Sequence, residues 1–251
     1  MLLRSTRAVA DPSEVARARI RLATLPVPRH WIVLSVLLGA AEIALGFTVT
    51  LVRQIAPAEV IVDQELSRDH SAVLTAIALA INTVLSPPGI VLILAGVFIV
   101  LLLVSRAPVN AVAVTLIAAT GWLSSEGFKL IVSRARLSPS LLVDPLASES
   151  GWDSFPSGHT SFAVALAIAV YLLARNTKWS TLALAGGIVF AVVVGASRLY
   201  LGVHYPSDIL GAVLGPIAVI VAVFGVWNRY GMVVLRRIPI LARIGPIPKE
   251  P

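Results

Sequence analysis

Apolar stretches of about 20 residues, separated by short polar segments, recur along the whole chain. A helix of about this length crosses the hydrocarbon core of a bilayer. The stretches are, in chain order, Trp31–Leu51, Ser71–Ser105, Ala107–Ser125, Ser154–Ala174, Trp179–Ser197 and Ile209–Asn228. Hydrophobic residues make up 57% of the sequence and charged residues only 13%, well below the share in a soluble domain. The pattern therefore predicts an all-α integral membrane protein.

The stretch Ser71–Ser105 is too long for one span. Pro87 and Pro88 divide it, because adjacent prolines remove helix donors and clash with the preceding turn. If the first part, Ser71–Leu85, lies at the interface, six helices span the membrane and 14 of the 20 Lys and Arg residues fall on one side. If it spans, the basic residues divide equally. The positive-inside rule favours six transmembrane helices with both termini in the cytoplasm.

This topology divides the chain into three parts. Residues 1–30 form a cytoplasmic basic arm, residues 31–228 a six-helix membrane domain, and residues 229–251 a cytoplasmic basic tail. The acidic segment Ala56–His70, between helices one and two, is predicted to be amphipathic and to lie on the outer face. The end of the tail, Arg236–Pro251, is basic and rich in proline and is expected to have little ordered structure.

The arm begins with a typical helix start, in which Asp11 is the N-cap and Pro12 the first helical residue. It is either a basic helix on the anionic inner leaflet or a solvated segment that sets topology. The net charge of +7 would suggest a nucleic-acid partner in a soluble protein. Here the basic residues flank apolar stretches, so we expect the bilayer as partner and no nucleic acid. The absence of cysteine excludes disulfides and thiol chemistry.

Three polar segments on the predicted outer face carry residues suited to chemistry. The first, at the end of the third span, contains Lys129 and Arg136. The second is Pro156–His159, which opens the fourth span, and the third is Ser197–Asp208, which joins the last two spans. Ionisable groups at membrane depth are costly, so they are functional candidates.

The residue types in these segments suit a phosphate ligand. Lys129, Arg136 and Arg198 offer ammonium and guanidinium donors for phosphate oxygens. Ser157-Gly158 precedes an apolar helix, whose first N–H groups can bind an anion that approaches closely over the glycine.

Two histidines complete the set. His204 and Asp208 are four residues apart, with Pro206 placed early in the last span. A carboxylate on one ring nitrogen fixes the tautomer of a histidine and leaves the other nitrogen free to attack. His159 can give a proton to a leaving oxygen. Each feature alone is common in proteins that have no phosphate-processing site. Their joint occurrence on one membrane face indicates such a site here.

Together, these residues resemble the type-2 phosphatidic acid phosphatase superfamily. Its signature consists of K-x6-R-P, P-S-G-H and S-R-x5-H-x3-D. The second and third blocks match in full at Pro156–His159 and Ser197–Asp208. The first block matches Lys129 and Arg136 at the right spacing, but Leu137 replaces the proline.

The resemblance implies a role for each matched residue. His204 is the expected nucleophile, which forms a phosphohistidine, and Asp208 orients it. His159 protonates the leaving group and later activates water. The residues expected to hold the phosphoryl oxygens are Lys129, Arg136, Ser157, Gly158 and Arg198. No metal or other cofactor is implied, because three cationic side chains supply the charge stabilisation.

Leu137 and Glu126 depart from this simple picture. With leucine in place of proline, the loop after Arg136 is expected to be freer, and Arg134 becomes a competitor for the phosphate oxygens. Glu126 lies one turn before Lys129, and we expect the two to pair, with a lipid head group as the alternative partner of Glu126.

The implied function is a metal-independent phosphatase of the plasma membrane that hydrolyses a lipid phosphate or diphosphate, with its site facing outward. The substrate class stays open among polyprenyl diphosphates, phosphatidate and phosphatidylglycerol phosphate, and analogy favours the first. A lipid phosphotransferase with an alcohol acceptor is the main alternative. A vanadium haloperoxidase is a further alternative, but such enzymes are soluble, whereas this chain is predicted to span a membrane. A transporter is another, but it would not explain the His204–Asp208 pair together with a second histidine.

Overall fold

The computed structural model describes residues 12–249, and within this range the regular structure is helical, with no β-strand. The helices are α1 (Pro12–Arg19), α2 (Trp31–Leu51), α3 (Ile55–Leu66), α4 (Ala72–Val84), α5 (Pro87–Ile99), α6 (Pro108–Val132), α7 (Gly158–Ala174), α8 (Ser180–Tyr200), α9 (Pro206–Val226), α10 (Met232–Arg236) and α11 (Pro239–Ile244). A π-helical turn, Val100–Val104, extends α5, and another, Trp227–Gly231, joins α9 to α10. The prediction of an all-α chain is confirmed.

Five helical segments of the described range are long and apolar enough to cross a membrane. They are α2, Pro87–Val104, α6, α8 and the continuous run Pro206–Arg236. Two apolar helices are shorter: α4 has 13 residues and α7 has 17. The protein is therefore a multi-pass membrane protein.

The helix break within the long apolar stretch lies where the sequence places it. Helix α4 ends at Val84, and α5 begins at Pro87, the first of the two prolines. Ser86 is extended, as the residue before a proline prefers to be.

Helix α7 lies at the centre of the bundle, where it packs against α6, α8 and α9, while α2 packs against α9. Small residues allow the close approach: a Cβ atom at Gly121 of α6 would overlap the Ser161 carbonyl of α7. At one end of the bundle, the Ser157 N–H donates to the Asp208 carbonyl at 3.1 Å and joins the start of α7 to the start of α9. The segments with candidate residues therefore converge at this end.

The described part of the N-terminal arm is docked on the protein at Leu22–Leu25. Leu22 and Leu25 are buried, and the Leu22 N–H donates to the Asn110 side chain at 3.0 Å. The Asn228 side chain holds both backbone groups of Leu25 at 2.8 Å. Neither sequence interpretation of the arm includes this docking. The helix begins at Pro12 as expected, whereas its proposed cap, Asp11, lies outside the described residues.

The C-terminal part is more ordered than the sequence suggested. The last apolar helix continues past Asn228 to Arg236, eight residues beyond its predicted end. Beyond it, Pro239–Ile244 forms a short helix with Leu241 buried. The expectation of little ordered structure is wrong for these residues, because an apolar side chain among the basic ones anchors the tail.

Helix α3 covers the site-bearing end of the bundle with an acidic face. Its Glu59 accepts from the Ser207 N–H at 2.7 Å and from Arg134 at 2.6 Å. Asp63 is fully buried, and burial, reinforced by the charge of Glu59, raises the pKa of Asp63 to about 7.

Candidate active site

His204 and Asp208 form a buried pair at the start of α9. The His204 Nδ1 lies 3.2 Å from Asp208 Oδ2, and the side chains are 2% and 0% exposed. Pro206 is the first residue of the helix, and Asp208, two residues later, also accepts from the Tyr205 N–H at 3.0 Å. The helix start thus fixes the carboxylate, which leaves Nε2 as the ring nitrogen available for attack.

Burial lowers the pKa of His204 below its ordinary value, although the hydrogen bond and charge of Asp208 oppose this effect. The direction of this pKa shift matters for catalysis. A lowered pKa keeps the imidazole neutral at neutral pH and into mildly acidic solution, so the ring retains the lone pair that a nucleophile needs.

Asp208 is held by more than the histidine. Arg134 Nη1 donates to its Oδ1 at 2.6 Å, and Ser154 Oγ donates to its Oδ2 at 2.6 Å. Arg134 also stacks over the Tyr205 ring, with its guanidinium carbon 4.0 Å from the ring centre. A carboxylate with this many charged and neutral donors is fixed in position and in its ionised form.

Arg134 therefore has a different place from the one expected. Its guanidinium is 3% exposed and bound by Glu59, Ser207 and Asp208, on the far side of Asp208 from the histidine. In this position Arg134 does not compete with Arg136 for phosphate oxygens, contrary to the expectation.

Leu137 does not loosen the loop in the way expected. It is 1% exposed and packs in a small cluster with Leu142, Tyr205 and Val60. Leucine anchors the loop by burial, where proline would restrict the backbone.

His159 lies at the start of α7 and faces the same cavity as His204. Its Nε2 is 3.3 Å from the backbone carbonyl of Asn82 near the end of α4. The side-chain oxygen of Asn82 accepts from Arg198 Nη1 at 2.7 Å. One residue outside the three motif segments therefore contacts two of the candidates.

A cavity of about 270 Å³ brings together most of the predicted site residues. His204, His159, Gly158, Lys129 and Arg136 line it. Its apolar wall consists of Leu85, Pro87, Ile90 and Trp122. The arrangement offers a nucleophile, a proton carrier and cations around a space of the size of a phosphoryl group and its immediate substituent.

Two predicted phosphate ligands lie behind the cavity wall. Arg198 is 0% exposed and reaches the cavity through Glu149, which accepts from its Nη2 at 3.1 Å. Ser157 is fully buried, and its hydroxyl accepts from Thr160 at 3.1 Å. Gly158 lies on the cavity surface, where an added Cβ would approach Lys129 Nζ to 3.5 Å.

Each cation of the site has a carboxylate partner, which corrects the expectation of a purely cationic pocket. Lys129 pairs with Glu126 at 2.9 Å, as predicted from their spacing. Arg136 binds Asp153 at 2.8 Å through Nε and also pairs with Glu149. The hydrogen bond from Arg136 lowers the pKa of Asp153, so this carboxylate stays ionised.

These carboxylates do not form a metal centre. Among the described residues, no group of three or more His, Asp or Glu side chains has the arrangement of a metal site. Each acid is instead directed at a basic side chain.

Sequence reasoning missed four residues that contact the candidates: Asn82, Glu149, Asp153 and Ser154. None lies at a fixed spacing from the residue that it contacts, because the contacts are made across the fold. A weak signal was present, since Glu149 and Asp153 are acids just before Pro156–His159.

The family model described as the PAP2 superfamily matches residues 109–231, which contain all eight predicted site residues. This part of the chain, which carries every candidate residue, matches the PAP2 superfamily. The predicted resemblance to the type-2 phosphatidic acid phosphatases is thereby confirmed.

Individual PAP2 relatives are similar over part of their length. The chain is 38% identical to undecaprenyl-diphosphatase BcrC of Bacillus subtilis over 61 residues, 24% of this chain and 28% of that protein. It is 38% identical to phosphatidylglycerophosphatase B of Haemophilus influenzae over 96 residues, 37% of this chain and 39% of that protein. The matched segments thus span less than half the length of these curated relatives.

One solved PAP2 structure shares the fold. The crystal structure of a transmembrane PAP2-type phosphatidylglycerolphosphate phosphatase from Bacillus subtilis has a TM-score of 0.59 and 24% sequence identity. The match covers 79% of this chain and 96% of that one.

Proposed function

We propose that this protein is a membrane lipid phosphatase that works through a phosphohistidine at His204. The observation that carries the proposal is the His204–Asp208 pair, which faces a cavity shared with His159, Lys129 and Arg136. A nucleophile oriented by a carboxylate, a second histidine and two cations match the needs of phosphoryl transfer. The PAP2 relatives named as lipid phosphatases support the same reaction class.

The reaction takes two steps. His204 Nε2 attacks phosphorus, the P–O bond to the lipid breaks, and His159 gives its proton to the leaving oxygen. Water then attacks the phosphohistidine, the P–N bond breaks, and His159 takes a proton from that water. Inorganic phosphate leaves, and both histidines return to their starting states.

The phosphoryl oxygens are bound by the cations and by the start of α7. Lys129 and Arg136 lie on the cavity, and Arg198 joins them from behind Glu149. Gly158 allows the phosphate to approach the first N–H groups of α7, which Ser157 precedes as the cap residue.

Metal independence follows as a prediction. We expect phosphate release to survive EDTA and to be inhibited by vanadate, which mimics the five-coordinate transition state. The reason is that the acids lining the cavity are each paired with Lys129 or Arg136, and no group of three or more acids or histidines among the described residues is placed to hold a metal ion. Activity that vanished with EDTA and returned with magnesium would rule out this mechanism.

The substrate is a lipid with a terminal phosphate or diphosphate. The named relatives include an undecaprenyl-diphosphatase and a phosphatidylglycerophosphatase, so polyprenyl diphosphate and phosphatidylglycerol phosphate are both candidates, with phosphatidate as a third. Analogy favours the polyprenyl diphosphate. Purified protein assayed against this panel, ranked by kcat/KM, would identify the preferred substrate.

A lipid phosphotransferase is the second candidate function, because an alcohol could replace water in the second step. Colorimetric measurement of released phosphate separates the two. Release equal to the lipid consumed supports hydrolysis, whereas a phosphorylated alcohol formed without free phosphate supports transfer.

For the membrane arrangement, we propose six spans, with α7 as the sixth beside the five longer segments. Its 17 residues reach the lower limit for a span, and it lies at the centre of the bundle. Helix α3 then lies on the outer face of the plasma membrane with the site, and both termini are cytoplasmic. The distribution of basic residues supports this orientation.

Single-cysteine labelling tests the topology, because the natural chain has no cysteine. We expect a cysteine at Ser148 to react with an impermeant reagent from outside, and one at Arg237 to be protected until the membrane is opened. Both positions are exposed, so solvent access does not limit either reaction. The reverse labelling pattern would invert the proposed orientation.

A further inference from the structure

The Glu149 carboxylate lies where two guanidinium groups meet. One of its oxygens pairs with Arg136 Nη1, and the other accepts from Arg198 Nη2 at 3.1 Å. The side chain is 32% exposed, while those of Arg136 and Arg198 are 9% and 0% exposed. Glu149 therefore covers both arginines from the cavity side, and two adjacent oxygens between two guanidiniums imitate an arginine-bound phosphate.

Glu149 differs in this respect from the other acids of the cavity. Asp153 binds Arg136 alone, through Nε and Nη2, and Glu126 binds Lys129 one turn away on its own helix. Within residues 12–249, Glu149 is the carboxylate that bridges two of the three cations. It belongs to the irregular segment before α7, with Ser148 and Ser150 exposed on either side, so its movement does not require a helix to shift.

We propose that Glu149 is a specificity-determining residue, whose carboxylate occupies the phosphoryl position in the free protein and is displaced by ligands with two or more negative charges. The proposal rests on the proposed function of the site. A phosphodiester carries one charge, so exchanging it for a carboxylate gains no attraction to the arginines. A phosphomonoester or terminal diphosphate carries about two charges at neutral pH and gains by the exchange.

Discrimination against monoanions matters for a site at a membrane. Ordinary phospholipid head groups are phosphodiesters and surround the cavity at high local concentration. A site with Arg136 and Arg198 uncovered would bind them and be blocked, because a guanidinium binds any phosphate oxygen pair. The Glu149 carboxylate at this position cancels the attraction of the two arginines for monoanionic ligands but not for dianionic ligands.

The test uses methyl phosphate, a dianion at pH 8, and dimethyl phosphate, a monoanion of nearly the same size. Binding of each to the purified full chain is measured by titration calorimetry. The natural protein should bind methyl phosphate and show no binding of dimethyl phosphate. Glu149→Gln should bind dimethyl phosphate and should bind methyl phosphate at least about tenfold more tightly, because the amide keeps the shape but removes the competing charge.

Matched variants separate this role from a general effect of charge. Asp153→Asn also removes one carboxylate from Arg136 but not the bridge, so it should leave dimethyl phosphate unbound. Glu149→Asp, whose shorter side chain cannot span both arginines, should give an intermediate gain and serves as the second variant if the glutamine variant does not fold. Equal gains in Asp153→Asn and Glu149→Gln, or weaker methyl phosphate binding in Glu149→Gln, would refute the proposal.

The outcomes also distinguish this inference from the proposed function. If the natural protein binds methyl phosphate selectively but releases no phosphate from any lipid, the phosphatase proposal fails and the role of Glu149 stands. If phosphate release is normal and Glu149→Gln leaves both affinities unchanged, only the role of Glu149 fails. If neither ligand binds to either protein, the phosphoryl position itself is wrongly assigned and the role of Glu149 is refuted.

Discussion

His204→Ala is expected to give no phosphoenzyme with any substrate, whereas His159→Ala should fail selectively, according to the leaving group. His204 is the histidine whose Nδ1 is held by Asp208, so it should attack phosphorus. His159 lies beside Gly158 and contacts only a backbone carbonyl among its described hydrogen-bond partners, so it should carry protons. A lipid alcohol needs protonation to leave, and general acid catalysis of this kind contributes about 10²–10⁴-fold.

A leaving group that departs as an anion isolates the second step. With p-nitrophenyl phosphate, His159→Ala should recover part of its first step. It should then accumulate phosphohistidine at position 204, because the same residue activates water. Rapid quench with detection of an acid-labile, base-stable label measures this species. Label retained in His204→Ala, or found on His159, would reverse the two assignments.

Asp208→Asn is expected to lower kcat by about 10⁴-fold, the loss seen when the orienting carboxylate of a catalytic triad becomes an amide. The amide cannot hold His204 in the same tautomer and cannot stabilise its positive charge. In the unmodified protein, Arg134 Nη1 donates to Asp208 at 2.6 Å. The variant places an NH₂ group or a neutral oxygen opposite this donor instead. A loss of stability should accompany the loss of activity, because Arg134 is left as a buried charge with a weaker partner.

Ser154→Ala is the matched control for that network. It removes the 2.6 Å hydrogen bond to Asp208 Oδ2 but keeps the carboxylate and its charge. We expect less than a tenfold loss of kcat and a smaller fall in Tm than in Asp208→Asn. A kcat loss below about tenfold in Asp208→Asn as well, with folding confirmed by circular dichroism, would mean that Asp208 acts as a structural cap of α9 rather than through His204.

The sequence predicts the helices and the pairing of His204 with Asp208 well because both depend on local spacing. The break at Ser86 follows from two prolines, and the contact of His204 with Asp208 follows from a helix that begins at Pro206. The pairing of Lys129 with Glu126 is likewise an i, i+3 contact within one helix.

The remaining contacts depend on distant parts of the chain. Arg134 faces Asp208 and Glu59, each more than 70 residues away in sequence, so no spacing rule separates it from Arg136, which is two residues away. Asn82 reaches Arg198 across 116 residues. Such pairs arise from the packing of helices, which apolar periodicity predicts only as burial and not as neighbour identity.

The docked N-terminal arm has a consequence for biogenesis. Leu22 bonds to Asn110, 88 residues further along the chain, and Leu25 bonds to Asn228, 203 residues further. Since a ribosome makes the arm first, neither partner exists when the arm emerges, and the second arrives only with the final apolar helix. The contact of Leu25 with Asn228 can therefore form only after the final apolar helix has been made, and a bundle without that helix lacks this part of the docking site.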